Sequence, residues 1–339
     1  MGRNHRIALA GFGNVGQALA RLIAEDHPSI RGIEITGVSD PRFGTVASDR
    51  PLDVSALLQG VASGSFDESE LDVLDGGVLE MIETASADTL VELTFTDLET
   101  GEPATTHITR ALHAGWSVST TNKGPIALNY PALRDLAAAS GATLAFEGTV
   151  MSGSPAVELA EILSGAGCSA VLGILNGTTN YIITRMEDGV WYAAALAEAQ
   201  ERGYAEADPT GDVEGRDAAA KLAILAQVLG QETMPLSDIE RVPLATVTES
   251  DVAEAAGRNE RWRYIATLEQ RDGVWRASVA PKRLEASHPL ASVVGATNAI
   301  TFRTELLGDV TVAGPGAGRS ETAYAVISDI RKIERAQSS

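Results

Sequence analysis

The sequence predicts an α/β protein built on a doubly wound parallel sheet, joined to a second, α+β domain. Three observations carry this expectation. The short apolar run from Arg6 to Ala10 leads into Gly11-Phe12-Gly13-Asn14-Val15-Gly16, and Val15, Ala18, Leu19, Leu22 and Ile23 then follow at helical spacing. Strand-like and helix-like segments alternate through the first part of the chain, the pattern of a parallel sheet. Beyond Trp262 the pattern changes to alternating stretches joined by turn residues, which reads as antiparallel hairpins. At 339 residues and 44% hydrophobic content the chain suffices for two packed domains.

In the first element the glycines allow a tight turn, close approach of a pyrophosphate and tight packing of the next helix, whose N-terminus attracts the phosphate charge. Gly11, Phe12, Gly13, Asn14, Val15 and Gly16 therefore read as a Rossmann-type dinucleotide turn. Ile33 to Ser39 supplies the second strand, with Asp40 at its end, where an acid can accept from the ribose hydroxyls and would repel a 2′-phosphate. Arg42 gives the opposite signal, since a guanidinium can pair with that phosphate. The balance leans to NAD over NADP. Residues 44 to 80 are polar and acidic, with one helix expected from about Asp53 to Val61.

The strand from Thr89 to Thr94 ends in Thr94-Phe95-Thr96-Asp97, a helix after Pro103 runs to about Ala114, and Ser117 to Thr120 forms a strand that delivers Thr121-Asn122-Lys123-Gly124-Pro125. Ligands gather at the carboxyl ends of strands in open parallel sheets, so Thr94, Thr96 and Lys123 are expected near the nicotinamide end of a bound cofactor. The bland alternative for Lys123 is a solvated loop lysine; Gly124-Pro125 weighs against it by restricting the backbone. Ser154-Pro155 reads as N-cap and first residue of a helix to about Leu163.

A helical stretch from about Trp191 to Arg202 leads to the most informative segment, Gly203 to Gln227. From Ala218 to Leu229 only Lys221 and Gln227 are not apolar, so this helix is expected to be largely buried. Asp217 lies one helical turn before Lys221 in the favourable acid-then-base order, and Glu206, Asp208 and Asp212 crowd the approach. An exposed pair of this kind contributes under ~1 kcal/mol. The apolar flanks point instead to a carboxylate cluster meeting a desolvated ammonium. Gly230 and Pro235 end the helix, and hairpin turns are expected at Arg271-Asp272-Gly273 and around Gly308-Asp309. Gly314 to Gly318 reads as a turn entering a final helix.

Composition excludes several function classes. The formal net charge of −20 repels phosphate backbones and no basic patch offsets it, so nucleic acid is not an expected partner. No apolar run is long enough to cross a bilayer, and the N-terminus enters a strand without a signal peptide, which points to the cytoplasm. The single Cys168 and five scattered histidines lack metal-ligand spacing. Lys123, Lys221, Lys282 and Lys332 are the only lysines, the other basic residues being arginine. An acidic, lysine-poor surface fits work in concentrated salt; a high-GC genome would give the same bias.

The segment GYAEADPTGDVEGRDAAAK, residues 203–221, resembles the substrate motif of homoserine dehydrogenases, in which Gly-Tyr-x-Glu-x-Asp-Pro leads through an acidic loop to Gly-x-Asp-x-x-x-Lys. Glu102-Pro103 with TTNKGPIAL, then EGTVMSGSP, LNGTTNYI and TVAGPGAGRSETAYAVISDI, resemble further segments of that family, so the likeness spans about residues 6 to 331. Met151-Ser152 departs from it, relatives often having small residues there. The resemblance implies reversible hydride transfer between NAD(P)H and L-aspartate 4-semialdehyde, giving L-homoserine. It makes Lys221 the leading proton donor with Lys123 as the other candidate, and puts Glu206, Asp212 and Asp217 on the substrate together with Tyr204, Gly177 and Thr178. Gly318 falls in a C-terminal segment that returns over the cofactor. A sodium ion would sit on the Glu147 side chain and the carbonyls of Val150, Ser152 and Ser154. The domains implied are residues 1–150, 151–312 and a returning 313–339, with a homodimer or dimer of dimers paired through the antiparallel sheet and no aspartokinase or regulatory domain appended. The rival readings are a dehydrogenase of another amino or hydroxy acid, and a catalytically silent NAD-binding sensor.

Overall fold

A computed structural model describes residues 3–230 and 233–337. Its contacts divide the chain into two compact units, residues up to 149 together with those from 318 onward, and residues 150–317.

The first unit is a seven-stranded sheet of β1 (His5–Ala10), β2 (Ile33–Asp40), β3 (Gly44–Ala47), β4 (Val73–Leu74), β5 (Thr89–Glu92), β6 (Ser117–Thr120) and β7 (Leu144–Ala145), in the order β4-β3-β2-β1-β5-β6-β7. The strands from β2 through β1, β5 and β6 to β7 pair in parallel, while β3 and β4 add antiparallel at one edge. The strand order reverses between β1 and β5, and the crevice beyond their carboxyl ends is where such sheets bind ligands. Both faces are covered. Ile7 and Leu9 pack on one side and Ala8 and Ala10 on the other, which is why β1 reads as a continuous apolar run and not as an alternating one.

Helix α1 (Asn14–Ala24) starts at the glycine turn and buries Gly16, Leu19 and Ala20. Helix α2 (Val54–Ser63) is capped by the Asp53 side chain and stopped by Gly64 at φ 91°; α3 (Val78–Thr84) and α4 (Ala104–His113) follow. Helix α5 (Lys123–Ser140) begins under the Asn122 cap, so Lys123 opens a helix instead of standing in a loop. Strand β5 ends at Glu92, two residues before the expected Thr94, because the Thr94 N–H turns back to the Glu92 carboxylate.

The second unit is a six-stranded sheet in the order β13-β12-β8-β10-β11-β9, formed by β8 (Cys168–Ile174), β9 (Glu240–Arg241), β10 (Glu260–Arg271), β11 (Val274–Glu285), β12 (Thr297–Thr304) and β13 (Gly308–Pro315). The β10–β11 pairing closes on Arg271 opposite Val274, leaving Asp272 (φ 53°) and Gly273 (φ 80°) as a left-handed two-residue turn. The next hairpin turns earlier than expected. Thr304 pairs with Gly308, so residues 305–307 form the loop and Gly308-Asp309 already belong to β13.

Helices α6 (Val157–Ser164), α7 (Gly177–Glu187), α8 (Tyr192–Glu201), α9 (Thr210–Val213), α10 (Arg216–Gly230) and α11 (Glu249–Gly257) complete this unit. The start expected at Ser154-Pro155 is displaced. Helix α6 opens at Val157 after Ala156, while the Ser154 hydroxyl donates to the carbonyl of Pro315 across the fold. Helix α10 is buried at every residue from Ala218 to Gln227. The last helix, α12 (Arg319–Gln337), belongs to the first unit, where Val326, Ile327 and Ile330 join the core that holds Ile7 and Leu9.

Candidate active site

In the first unit each glycine of the turn has its own steric reason. A Cβ on Gly11 (φ 99°) would fall 2.9 Å from the backbone of Leu93, and one on Gly16 would fall 2.9 Å from the Gly11 carbonyl oxygen. At Gly13 the nearest atom is the Arg42 guanidinium, 3.7 Å away, so the space above the N-terminus of α1 is open to an anion. Asn14 opens that helix and Val15 packs on the core behind it. Phe12 lies within the turn. Its ring is fully buried, and its N–H is already committed to the Asp40 carboxylate at 2.8 Å.

Asp40 and Arg42, which the sequence suggests as opposing signals, are partners. Arg42 donates from Nε to Oδ1 (3.0 Å) and from its terminal nitrogen to Oδ2 (3.1 Å), and its backbone N–H adds a third bond to Oδ1 at 3.0 Å. Asp40 is only 5% exposed. Burial alone would raise its pKa, but the hydrogen bonds from Arg42 and Phe12 hold it below the ordinary carboxylate value.

At the carboxyl ends of β5 and β6 two residues that sequence reasoning missed set the geometry. Glu92 is fully buried, accepts from the N–H and hydroxyl of Thr94 and from the Thr120 hydroxyl, and faces His107 Nδ1 at 3.6 Å. Asn122 donates to the carbonyls of Phe95 (2.8 Å) and Thr94 (3.3 Å) and accepts from the Gly124 N–H, which fixes the entry of α5 and hence Lys123. A Cβ on Gly124 would fall 2.2 Å from the Asp97 carbonyl, so only glycine fits. Thr96 is exposed on the loop between them. Gly318, at φ 136°, caps the start of α12 by accepting from Thr322.

The second unit holds the ionic cluster. Lys221 is 7% exposed, and its ammonium donates to Asp217 Oδ2 at 2.7 Å and to the Leu175 carbonyl at 2.6 Å. Asp217 is the acid one helical turn earlier on α10, as its spacing suggests. Asp212, at the end of α9, joins them indirectly: the Asn176 side chain donates to Asp212 Oδ1 at 2.7 Å and to Asp217 Oδ2 at 3.1 Å. Burial first, and then the charge of Asp217, push the Asp212 pKa up, while the Asn176 hydrogen bond opposes them. Asp208 turns instead to the backbone and hydroxyl of Thr210, and Glu206 is exposed on the same loop. Thr178 donates its hydroxyl to the Tyr204 carbonyl at 2.5 Å, and Gly177 is packed so that a Cβ would lie 2.6 Å from the Ala296 carbonyl. Two carboxylates and one ammonium leave this cluster electronegative, which suits a ligand carrying its own ammonium group.

The residues suggested for a cation are buried: Glu147 in the first unit, and Val150, Ser152 and Ser154 in the second. The Glu147 N–H donates to Asp329, a fully buried acid pushed up to about 8 by burial and by the charge of Glu147, against the opposing hydrogen bonds from Ser119 and Glu147. Among the described residues no group of three or more His, Cys, Asp or Glu side chains is arranged for a metal ion.

A family model described as homoserine dehydrogenase matches residues 155–330. The chain is 42% identical to the NAD(+)-dependent homoserine dehydrogenase of Pseudomonas canavaninivorans, over 98% of this chain and 96% of that protein. It superposes with a TM-score of 0.86 and 34% identity on a structure from Archaeoglobus fulgidus described as a homoserine dehydrogenase, covering 97% of this chain and 99% of that one. A hyperthermophilic archaeal homoserine dehydrogenase solved in complex with NADPH matches with a TM-score of 0.82 and 32% identity over 98% of both chains.

Proposed function

The chain belongs to the homoserine dehydrogenase family, NAD(P)-dependent oxidoreductases that interconvert L-homoserine and L-aspartate 4-semialdehyde, and we propose that Lys221 is the proton donor for that reaction here. One observation carries the assignment: a buried ammonium held by two hydrogen bonds inside a carboxylate cluster.

A bound nicotinamide supplies the hydride, and the protein must bind the amino acid, orient its aldehyde and provide a proton to the developing alkoxide. Asp212 and Glu206 hold the substrate ammonium, with Thr178, Gly177 and Tyr204 shaping the surrounding backbone. Asp217 holds the Lys221 ammonium in place, and its Nζ gives a proton to the oxygen and takes it back in homoserine oxidation. Lys123, at the positive N-terminus of α5, adds charge that favours the alkoxide. Rates with homoserine and aspartate semialdehyde, measured against a panel of other amino and hydroxy acids, test this reading. Comparable turnover of another substrate, or cofactor binding without turnover, would overturn it.

NAD is the proposed cofactor. Arg42 already spends Nε and one terminal nitrogen on Asp40, so a 2′-phosphate would meet a guanidinium whose charge the buried carboxylate offsets. The Pseudomonas relative is named as NAD(+)-dependent and the archaeal one was solved with NADPH, so both choices occur among similar proteins. We expect kcat/KM to favour NAD and Asp40→Ser to move the ratio toward NADP. A wild-type preference for NADP that Arg42→Ala abolishes would reverse the assignment.

Further parts of the reading rest on the resemblance and on charge. They are a sodium ion on Glu147 and the carbonyls of Val150, Ser152 and Ser154, a homodimer or dimer of dimers, a cytoplasmic place in threonine and methionine synthesis, and an acidic surface adapted to salt. Among the described residues no helix is long and apolar enough to cross a membrane.

A further inference from the structure

Asn176 stands at the N-cap of α7, 6% exposed, between the two acids of the cluster. Its orientation is determined by its surroundings. The amide oxygen accepts from the Thr179 N–H at 2.9 Å and from the Thr179 hydroxyl at 3.0 Å, so the amide nitrogen must face the acids. Its two hydrogens are then divided between Asp212 Oδ1 and Asp217 Oδ2. The acids lie on separate helices, α9 and α10, and repel one another at close range. Among side chains that could stand between them, lysine or arginine would neutralise the charge a substrate ammonium needs, and aspartate would add a third negative charge. A neutral amide with two donors binds both acids and leaves the cluster negative.

We propose that Asn176 is a positioning residue whose amide clamps Asp212 to Asp217, keeping Asp212 aimed at the substrate ammonium while Asp217 stays on Lys221. The inference rests on the assignment of Asp212 to the substrate given above. It separates two tasks within one side chain: the oxygen caps a helix and the nitrogen sets the site.

Two substitutions divide those tasks. Asn176→Ser and Asn176→Asp both retain an oxygen suited to an N-cap, but serine is too short to bridge the acids and aspartate repels them. Asn176→Ser should keep the wild-type Tm to within a few degrees, Asn176→Asp should lower it further through that repulsion, and both should keep the wild-type cofactor Kd measured without amino acid. KM for homoserine should rise about tenfold or more in Asn176→Ser, and further in Asn176→Asp. A purely structural cap predicts wild-type KM in both, and that result would overturn the proposal. Asp212→Asn is measured alongside. If it leaves KM for homoserine unchanged, the assignment of Asp212 fails and the clamp falls with it; if it raises KM while the Asn176 variants do not, the clamp alone is refuted. In the double variant Asn176→Ser/Asp212→Asn the rise in KM should be no greater than in Asp212→Asn, because one residue acts through the other. Fully additive losses would also refute it.

Discussion

Replacing Lys221 by methionine tests the proton-donor assignment with the least disturbance of packing, because methionine has similar length and suits the apolar neighbours on α10. The exchange removes the ammonium from Asp217 and takes a donor from the Leu175 carbonyl. Breaking a fully buried ion pair costs about 3–5 kcal/mol. Here the Asp217 side chain retains 21% exposure and keeps the Asn176 hydrogen bond, so water and the amide compensate in part. We expect a stability loss of about 1–2 kcal/mol, the range for one buried polar group that loses its partner. In a two-domain chain of this size that lowers Tm by roughly a few degrees. The catalytic loss should be larger: removing a general acid lowers kcat by about 10²-fold or more, equivalent to about 2.7 kcal/mol at the transition state. Initial rates are followed by the absorbance of the reduced nicotinamide, well below the variant's Tm, with cofactor Kd measured separately by fluorescence. The reasoning is refuted if kcat stays within about threefold of wild type in a folded variant. A parallel loss of cofactor binding would signify general disruption instead.

Three further outcomes follow from other parts of the molecule. Gly13→Ala should fold with an unchanged Tm, since its methyl meets only the Arg42 guanidinium at 3.7 Å, yet weaken cofactor binding; Gly16→Ala, 2.9 Å from the Gly11 carbonyl, should lower Tm, and calorimetry with cofactor titration separates the two. Burial pulls the His5 imidazole below its ordinary pKa of 6.5, outweighing the upward pull of Asp88 and Glu334. The unfolded chain therefore takes up that proton first as pH falls, so the stabilisation present above 6.5 is lost as pH drops toward the folded-state pKa; Tm between about pH 7.5 and about pH 5.5 should fall less in His5→Gln than in wild type. With 46 acidic against 26 basic residues, molar KCl should raise Tm by screening self-repulsion, and a flat or falling Tm would refer the arginine bias to genome composition.

Much of the fold is legible in the sequence because it depends on near neighbours. The glycine turn into α1, the two-residue turn at Asp272-Gly273 and the apolar run that buries α10 are each determined by periodicity or by backbone freedom within a few residues. The Asp217–Lys221 pair is legible for the same reason, being one turn of a single helix. Strands β3, β4 and β8 carry no comparable local signal: two of them are very short, and β8 owes its central place to pairing with β10 and β12, far along the chain. The same division runs through the site. The Phe12 N–H reaches Asp40 from the glycine turn, 28 residues away, and Ser154 bonds Pro315 instead of capping α6 because β13 passes beside it. Glu92 and Asn176 look like ordinary polar residues in the sequence, but tertiary packing surrounds Glu92 with threonine hydroxyls and brings Asn176 between two acids 36 and 41 residues away. Local sequence determines which side chains carry charge and which backbone turns are possible, while hydrogen bonds between distant residues form only once the chain is folded and water is excluded around them.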